Sequence, residues 1–192
     1  MASASFRSTV VAPRRALSFA IGLAACQIAL LASGCGGGGT SVPTPPAAPG
    51  GLTLHAPFAN GATIPTQYTC SGRGRRPALV VRRVPPRARE LVLLVTDPDA
   101  PSGTFVHWTA YGIPPEATTL PDGGRQGRNT AGGRGWTPPC PPKGDPPHHY
   151  VFAVYALAKP TGLAEGATAD EVIDALGDAI ARGQVTGRFA RS

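Results

Sequence analysis

The sequence predicts a mainly β fold, a single loop-rich domain built on strands. Proline and glycine number 22 and 25 among 192 residues, near the range where aperiodic chains stop folding. Yet 42% of the residues are hydrophobic, and several apolar runs are unbroken, enough for a buried core. Proline is spread through the whole chain, and each one inside a helix would cost roughly 3 kcal/mol, which excludes a helical bundle. No repeat recurs at periods of about 20 to 50 residues, which excludes solenoids and propellers. A chain of 192 residues holds one such domain with extensions.

The first extension is N-terminal. Arg7, Arg14 and Arg15 precede a mostly apolar run at 16–32, the layout of a secretory signal. Leu31-Ala32-Ser33-Gly34-Cys35 resembles a bacterial lipobox, in which small residues admit the peptidase and the Cys35 thiol receives diacylglycerol. Leu23-Ala24-Ala25-Cys26 is a second match, although cutting there would expose Gln27-Ile28-Ala29-Leu30-Leu31 on the mature chain. A third reading keeps 16–34 as an uncleaved anchor just able to span the hydrocarbon. All three place the domain outside the cytoplasm, and the first makes it a cell-envelope lipoprotein. On that reading, 1–34 is the signal peptide, 35–51 a Gly/Pro-rich linker and 52–192 the domain. Four glycines after Cys35, followed by Pro43, Pro45, Pro46 and Pro49, read as a flexible segment joined to an extended spacer.

Charge and cysteine content narrow the partners. Removing the three N-terminal arginines lowers the net charge from +7 to +4. Arg73, Arg75, Arg76, Arg82, Arg83, Arg87 and Arg89 flank a turn and a strand with no aromatic interleaved. They read as a solvated surface and not as a nucleic-acid groove. With Cys35 acylated, Cys70 and Cys140 remain as an even pair in an oxidising compartment. They form either a disulfide, worth roughly 4 kcal/mol in the chain-entropy account, or two buried thiols.

Along the domain, Leu52-Thr53-Leu54-His55 opens a strand and Phe58-Ala59-Asn60-Gly61 turns it. Ala78-Leu79-Val80-Val81 is a short strand. Glu90-Leu91-Val92-Leu93-Leu94-Val95-Thr96 is apolar without alternation, as expected of a strand buried on both faces. Residues 105–113 form another strand, ending at Pro114-Pro115. Residues 120–144 lack periodicity, and so long an irregular stretch in a compact domain is usually functional. Residues 150–158 form an apolar strand. Val172, Ile173, Leu176 and Ile180 mark one face of a C-terminal helix near 169–182. Thr168 and Glu171 make its capping box, and Gly183 can end it. Residues 185–189 are a possible closing strand.

Polar residues concentrate in Asp97-Pro98-Asp99-Ala100-Pro101, at His107, and in the run from Cys140 to Tyr150. In an extended chain Asp97 and Asp99 share a face, as do His148 and Tyr150, while His149 points away. Neighbouring histidines on a strand cannot readily aim at one metal ion. Asp-x-Asp resembles a glycosyltransferase metal motif, but the chain is too short for that nucleotide-binding domain. Nothing marks a sugar groove for a carboxylate pair. An oxidised Cys140 could not act as nucleophile with His148. No Gly-x-Ser-x-Gly elbow, P-loop or metal set is present, and no cofactor is expected.

Several segments resemble phosphatidylethanolamine-binding proteins, in order. They are Asp97-Pro98-Asp99-Ala100-Pro101, Val106-His107-Trp108, Gly127-Arg128-Asn129, Gly135-Trp136-Thr137-Pro138-Pro139-Cys140-Pro141-Pro142 and His148-His149-Tyr150-Val151-Phe152. The bacterial YbhB/YbcL branch, called Raf kinase inhibitor-like, is the nearer match. The resemblance covers about 52–191 and implies a Greek-key β-sandwich with peripheral helices and a small anion pocket. It places the ligand residues at Asp97, Asp99, Pro101, His107, Pro141, His148 and Tyr150. His149 stands where the family usually carries arginine, and the segment 75–81 lacks its second proline and tryptophan. On this basis His107 and His148 are expected to offer N–H donors, with an aspartate behind at least one of them. Two functions stay open. One is a non-catalytic module binding a small anion or a phospholipid head group, tethered to the membrane by lipid. The other is a small metal-independent hydrolase using the same aspartates and histidines.

Overall fold

The structure, a computed structural model, describes residues 42–192. The expected signal peptide and both candidate lipidation sites, Cys26 and Cys35, lie outside the described residues. Among these there are eight strands: β1 Thr53–His55, β2 Leu79–Arg82, β3 Glu90–Asp97, β4 Phe105–Ile113, β5 Thr119–Leu120, β6 Arg125–Gln126, β7 His148–Leu157 and β8 Ala179–Phe189. One short helix, α1 Ala169–Asp174, and a 3-10 turn at Thr66–Tyr68 complete the set. β1, β2 and β5 form a three-stranded sheet, and a five-stranded sheet runs β6-β4-β3-β7-β8. Pairing within both is antiparallel.

β3 is the central strand, and its unbroken apolar run has the expected cause. Leu91, Leu93 and Val95 face the smaller sheet, where they join Leu54, Leu79, Val81 and Leu120 in the main core. Val92 and Leu94 face the other way, against Val172, Ile173 and Leu176. Glu90, at the start of the strand, is buried, and its carboxylate accepts bonds from Gly112 N, Thr161 N and Thr161 Oγ1 at 2.7–2.9 Å. Three donors offset much of the cost of removing that charge from water.

The C-terminal helix is shorter than its periodicity predicts, covering 169–174 in place of 169–182. Its capping box forms, with Thr168 and Glu171 bonding each other reciprocally. The helix then stops, because Ala179–Phe189 pairs along the whole of β7 and the ladder outweighs a weak local preference. Ile180 belongs to that strand and packs into the main core, not onto the helix face. Gly183 has a different reason to be glycine: a Cβ there would lie 2.7 Å from the Leu52 carbonyl oxygen. The stretch 120–144, read as irregular, contributes part of β5 and all of β6 to the sheet edges.

The last part of the expected linker lies on the domain. Val42 and Ala48 pack against the outer core cluster, Arg182 N donates to Pro49 O at 2.7 Å, and Gly50 bridges to Arg182. Cys70 and Cys140 are joined, with a sequence separation of 70. Of the two sequence readings for this pair, the disulfide holds.

Candidate functional site

Three strand ends meet at one end of the five-stranded sheet. Asp97 closes β3 opposite Phe105 of β4, and Thr96 lies opposite Val151 of β7. The register therefore brings Asp97, His107 and His148 together from positions scattered along the chain. Pleating keeps His148 and Tyr150 buried and turns His149 outward. A cleft of about 260 Å³ opens here. Pro101, Pro138, Pro141 and Pro142 wall it with Phe105 and Cys140, and Asp97, His107 and His148 supply its polar side.

The two histidines are held differently. His148 Nδ1–H donates to Asp97 Oδ2 at 2.8 Å. Its Nε2 lies 3.5 Å from Asp145 Oδ2, too long for a strong hydrogen bond. Burial opposes the charged imidazolium, but the bond to Asp97, the charge of that carboxylate and the nearby Asp145 outweigh it, so the pKa of His148 is raised. His107 Nδ1 lies 2.8 Å from Thr137 O, and a carbonyl can only accept. The proton must sit on Nδ1, which leaves Nε2 as an acceptor in the neutral ring. Burial lowers the pKa of His107 and outweighs the Thr137 bond and the Asp97 charge. The sequence expectation of two N–H donors thus needs correcting. His148 is the donor when charged; neutral His107 is an acceptor.

Tyr150 lies beside both rings, 5.2 Å from His107 and 6.5 Å from His148 between centroids. Its hydroxyl is buried and has no hydrogen-bond partner among the described residues. Burial, followed by the Asp97 charge, pushes its pKa well above the usual phenol range. The phenol stays protonated, but Tyr150 is buried behind the histidine rings and does not line the cleft.

Asp99 departs from the expected arrangement. β3 ends at Asp97, the chain turns, and Asp99 N–H donates to Asp97 Oδ1 at 2.9 Å. The shared face of an extended chain is lost at that turn. Asp99 Oδ2 instead accepts from the N–H and Nδ1–H of His149, both at 2.7 Å. Burial would raise the Asp99 pKa, but these bonds and the histidine charges lower it. Asp99, Asp145 and His149 line a separate surface cleft of about 380 Å³ that shares only His148 with the first. Among the described residues, no group of three or more His, Cys, Asp or Glu side chains is placed to hold a metal ion.

Three supporting residues were missed from sequence. Thr137 holds His107 through both backbone groups, since Thr137 N also donates to His107 O at 2.9 Å. Buried Asn129 donates to Thr137 Oγ1 at 2.7 Å and accepts from Gly133 N, which shapes the glycine loop. Asp145 precedes His148 by three residues. The available signal was a lone asparagine in a glycine-rich stretch, since such side chains often bond local backbone.

A two-sheet sandwich with a proline-walled His/Asp cleft at the end of its larger sheet defines a recognisable class. The family described as Phosphatidylethanolamine-binding protein matches residues 55–190, and the chain belongs to it. It is similar to CT736 of Chlamydia trachomatis, a phosphatidylethanolamine-binding protein homolog, with TM-score 0.69 and 36% identity. That match covers 74% of this chain and 99% of the other. Escherichia coli YbcL, described as a member of the mammalian PEBP family, gives 0.68 at 28% identity, covering 73% of this chain and 99% of its own. LppC of Mycobacterium tuberculosis, named as a lipoprotein, is 38% identical, with 87% of this chain and 94% of the relative covered.

Proposed function

We propose that this protein is an exported, lipid-anchored, non-catalytic binding protein whose cleft takes a small phosphate-like anion, free or borne by a larger molecule. One arrangement carries the reading: His148, whose charged form Asp97 favours, faces a proline-walled cleft together with His107. Prolines bring no N–H to compete for the anion. Asp97 sits behind the imidazole, where it promotes the cation without facing the ligand alone. Neutral His107 offers Nε2 as an acceptor, which suits an oxyanion still carrying a proton. Hydrogen phosphate and phosphate monoester monoanions have that hydroxyl; sulfate does not.

Titrating the domain with inorganic phosphate or phosphoethanolamine should shift the side-chain NMR signals of both His107 and His148. Sulfate at the same concentration should bind more weakly. Unshifted imidazoles at saturation would place the anion elsewhere. Turnover of a phosphate or carboxylic ester that is lost in His148→Ala would instead support the hydrolase.

The anchoring rests on the lipobox-like Cys35 and on the likeness to LppC. Diacylglycerol on the thiol, with or without an N-acyl chain, supplies the two or more chains that stable anchoring needs. Cys35→Ser should shift the protein to the soluble fraction or leave an unprocessed precursor. Normal processing and membrane retention of that variant would refute the assignment.

A further inference from the structure

The connection from β2 to β3 carries a charge pattern that the cleft does not use. Arg82, Arg83, Arg87 and Arg89 are all exposed, and this stretch holds no acidic side chain before buried Glu90. None of the four forms an ion pair among the described residues. Pro85 and Pro86 fix the turn between them, and Arg89 N–H donates to Leu157 O at 2.8 Å, which ties the turn to the end of β7. Lys159 follows two residues later and is also exposed. Acids on neighbouring loops, Glu116 and Asp122 after β4 and Asp178 beside Lys159, are fewer than these cations. Arg76 does not belong to the patch, since it stacks on the Trp108 ring at 5.5 Å.

The chain from the N-terminus meets the domain along the outer core cluster and β8, at Val42, Ala48 and Pro49, before β1 begins beside this turn. Thr53, the first residue of β1, lies opposite Arg82, and Arg83 Nε donates to Thr53 Oγ1 at 2.8 Å. The cleft is at the other end of β3, since Glu90 starts the strand and Asp97 ends it. At about 3.3 Å per residue the two ends are roughly 20 Å apart.

We infer that the arginine turn 82–89 is a docking surface for an anionic phospholipid bilayer, which sets the tethered domain with its cleft facing away from the membrane. The inference builds on the lipid-anchor reading. Arginines clear of acidic partners complement anionic head groups, and a polybasic surface beside an acyl chain strengthens residence. In this orientation the cleft meets ligands from the aqueous side and not head groups of its own bilayer.

The test uses the domain at 42–192, without lipid. Flotation compares vesicles of phosphatidylcholine with equimolar phosphatidylcholine and phosphatidylglycerol at low ionic strength. The domain should bind the anionic vesicles and not the neutral ones, and added salt should release it. Arg82→Gln and Arg87→Gln should each lower the partition coefficient about fivefold, while His148→Ala should leave it unchanged. Absent binding, equal binding to both vesicle types, or full binding by the Arg82→Gln/Arg87→Gln double variant with an unchanged melting curve would overturn the inference. Retention on duplex DNA with no vesicle binding would overturn it in favour of a nucleic acid. Because the domain lacks Cys35, the result is independent of acylation: unmodified Cys35 in cells would refute the anchor alone.

Discussion

Replacing Cys70 and Cys140 by serine should lower the unfolding free energy by about 4 kcal/mol and weaken anion binding at the same time. The stability loss follows from the 70-residue separation of the bridged cysteines, whose closure restricts the unfolded chain. The binding loss has a local cause. Cys140 lines the cleft, and the bridge holds its wall segment against the turn at Cys70, where Cys70 N–H also donates to Pro139 O at 3.0 Å. The same segment includes Thr137, whose carbonyl fixes the His107 ring. Denaturant unfolding of the double variant, with phosphate titration alongside, measures both effects. A change in stability below about 1 kcal/mol would mean that the remaining contacts hold the wall without the bridge.

The second large effect is expected at His148. His148→Ala should cost roughly 1.5–3 kcal/mol of anion binding, the usual worth of a charge-assisted hydrogen bond, or about 10- to 100-fold in affinity. Asp97→Asn separates charge from geometry. It removes the carboxylate that raises the His148 pKa, so binding should weaken near neutral pH and recover in acid as the imidazole protonates without help. An affinity loss in Asp97→Asn that acid does not restore would give Asp97 a purely structural role. In the unaltered protein, affinity should fall as the pH rises through the raised pKa of His148, because the donor loses its charge there. A phosphate monoester loses its own proton near pH 6, so the His107 acceptor loses its match below the range in which His148 discharges.

Stability responds to the two histidines with opposite signs. His148, with its raised pKa, contributes stability that is complete below about 6.5 and lost as the pH rises through the folded-state value. His107, with its lowered pKa, costs stability as the pH falls from about 6.5 toward its folded-state value, because the unfolded chain takes up the proton first. The two windows adjoin at about 6.5, so together these groups place a stability maximum there, with a fall on either side in denaturant unfolding against pH.

Much of the architecture was legible in local pattern. The doubly buried run 90–96 announced the central strand, because a strand with apolar residues on both faces needs cover on both. The capping box at Thr168 announced where the helix begins, since it satisfies the first N–H groups from within four residues. Pleat alternation separated His148 and Tyr150 from His149. These are properties of a few consecutive residues, and no distant partner can easily change them.

What only the tertiary structure decided were competitions between local preference and distant partners. Residues 179–182 carry a helical pattern, but β7 offers a full ladder of hydrogen bonds, and pairing won. Asp97 and Asp99 share a face on paper; the turn after β3 sent each to a different histidine. The His107 tautomer was fixed by Thr137, thirty residues away, which turned an expected donor into an acceptor. Residue types and spacing determined which side chains could form a polar cleft. Which proton each one carries depends on the neighbours that folding supplies, and those neighbours lie far along the chain.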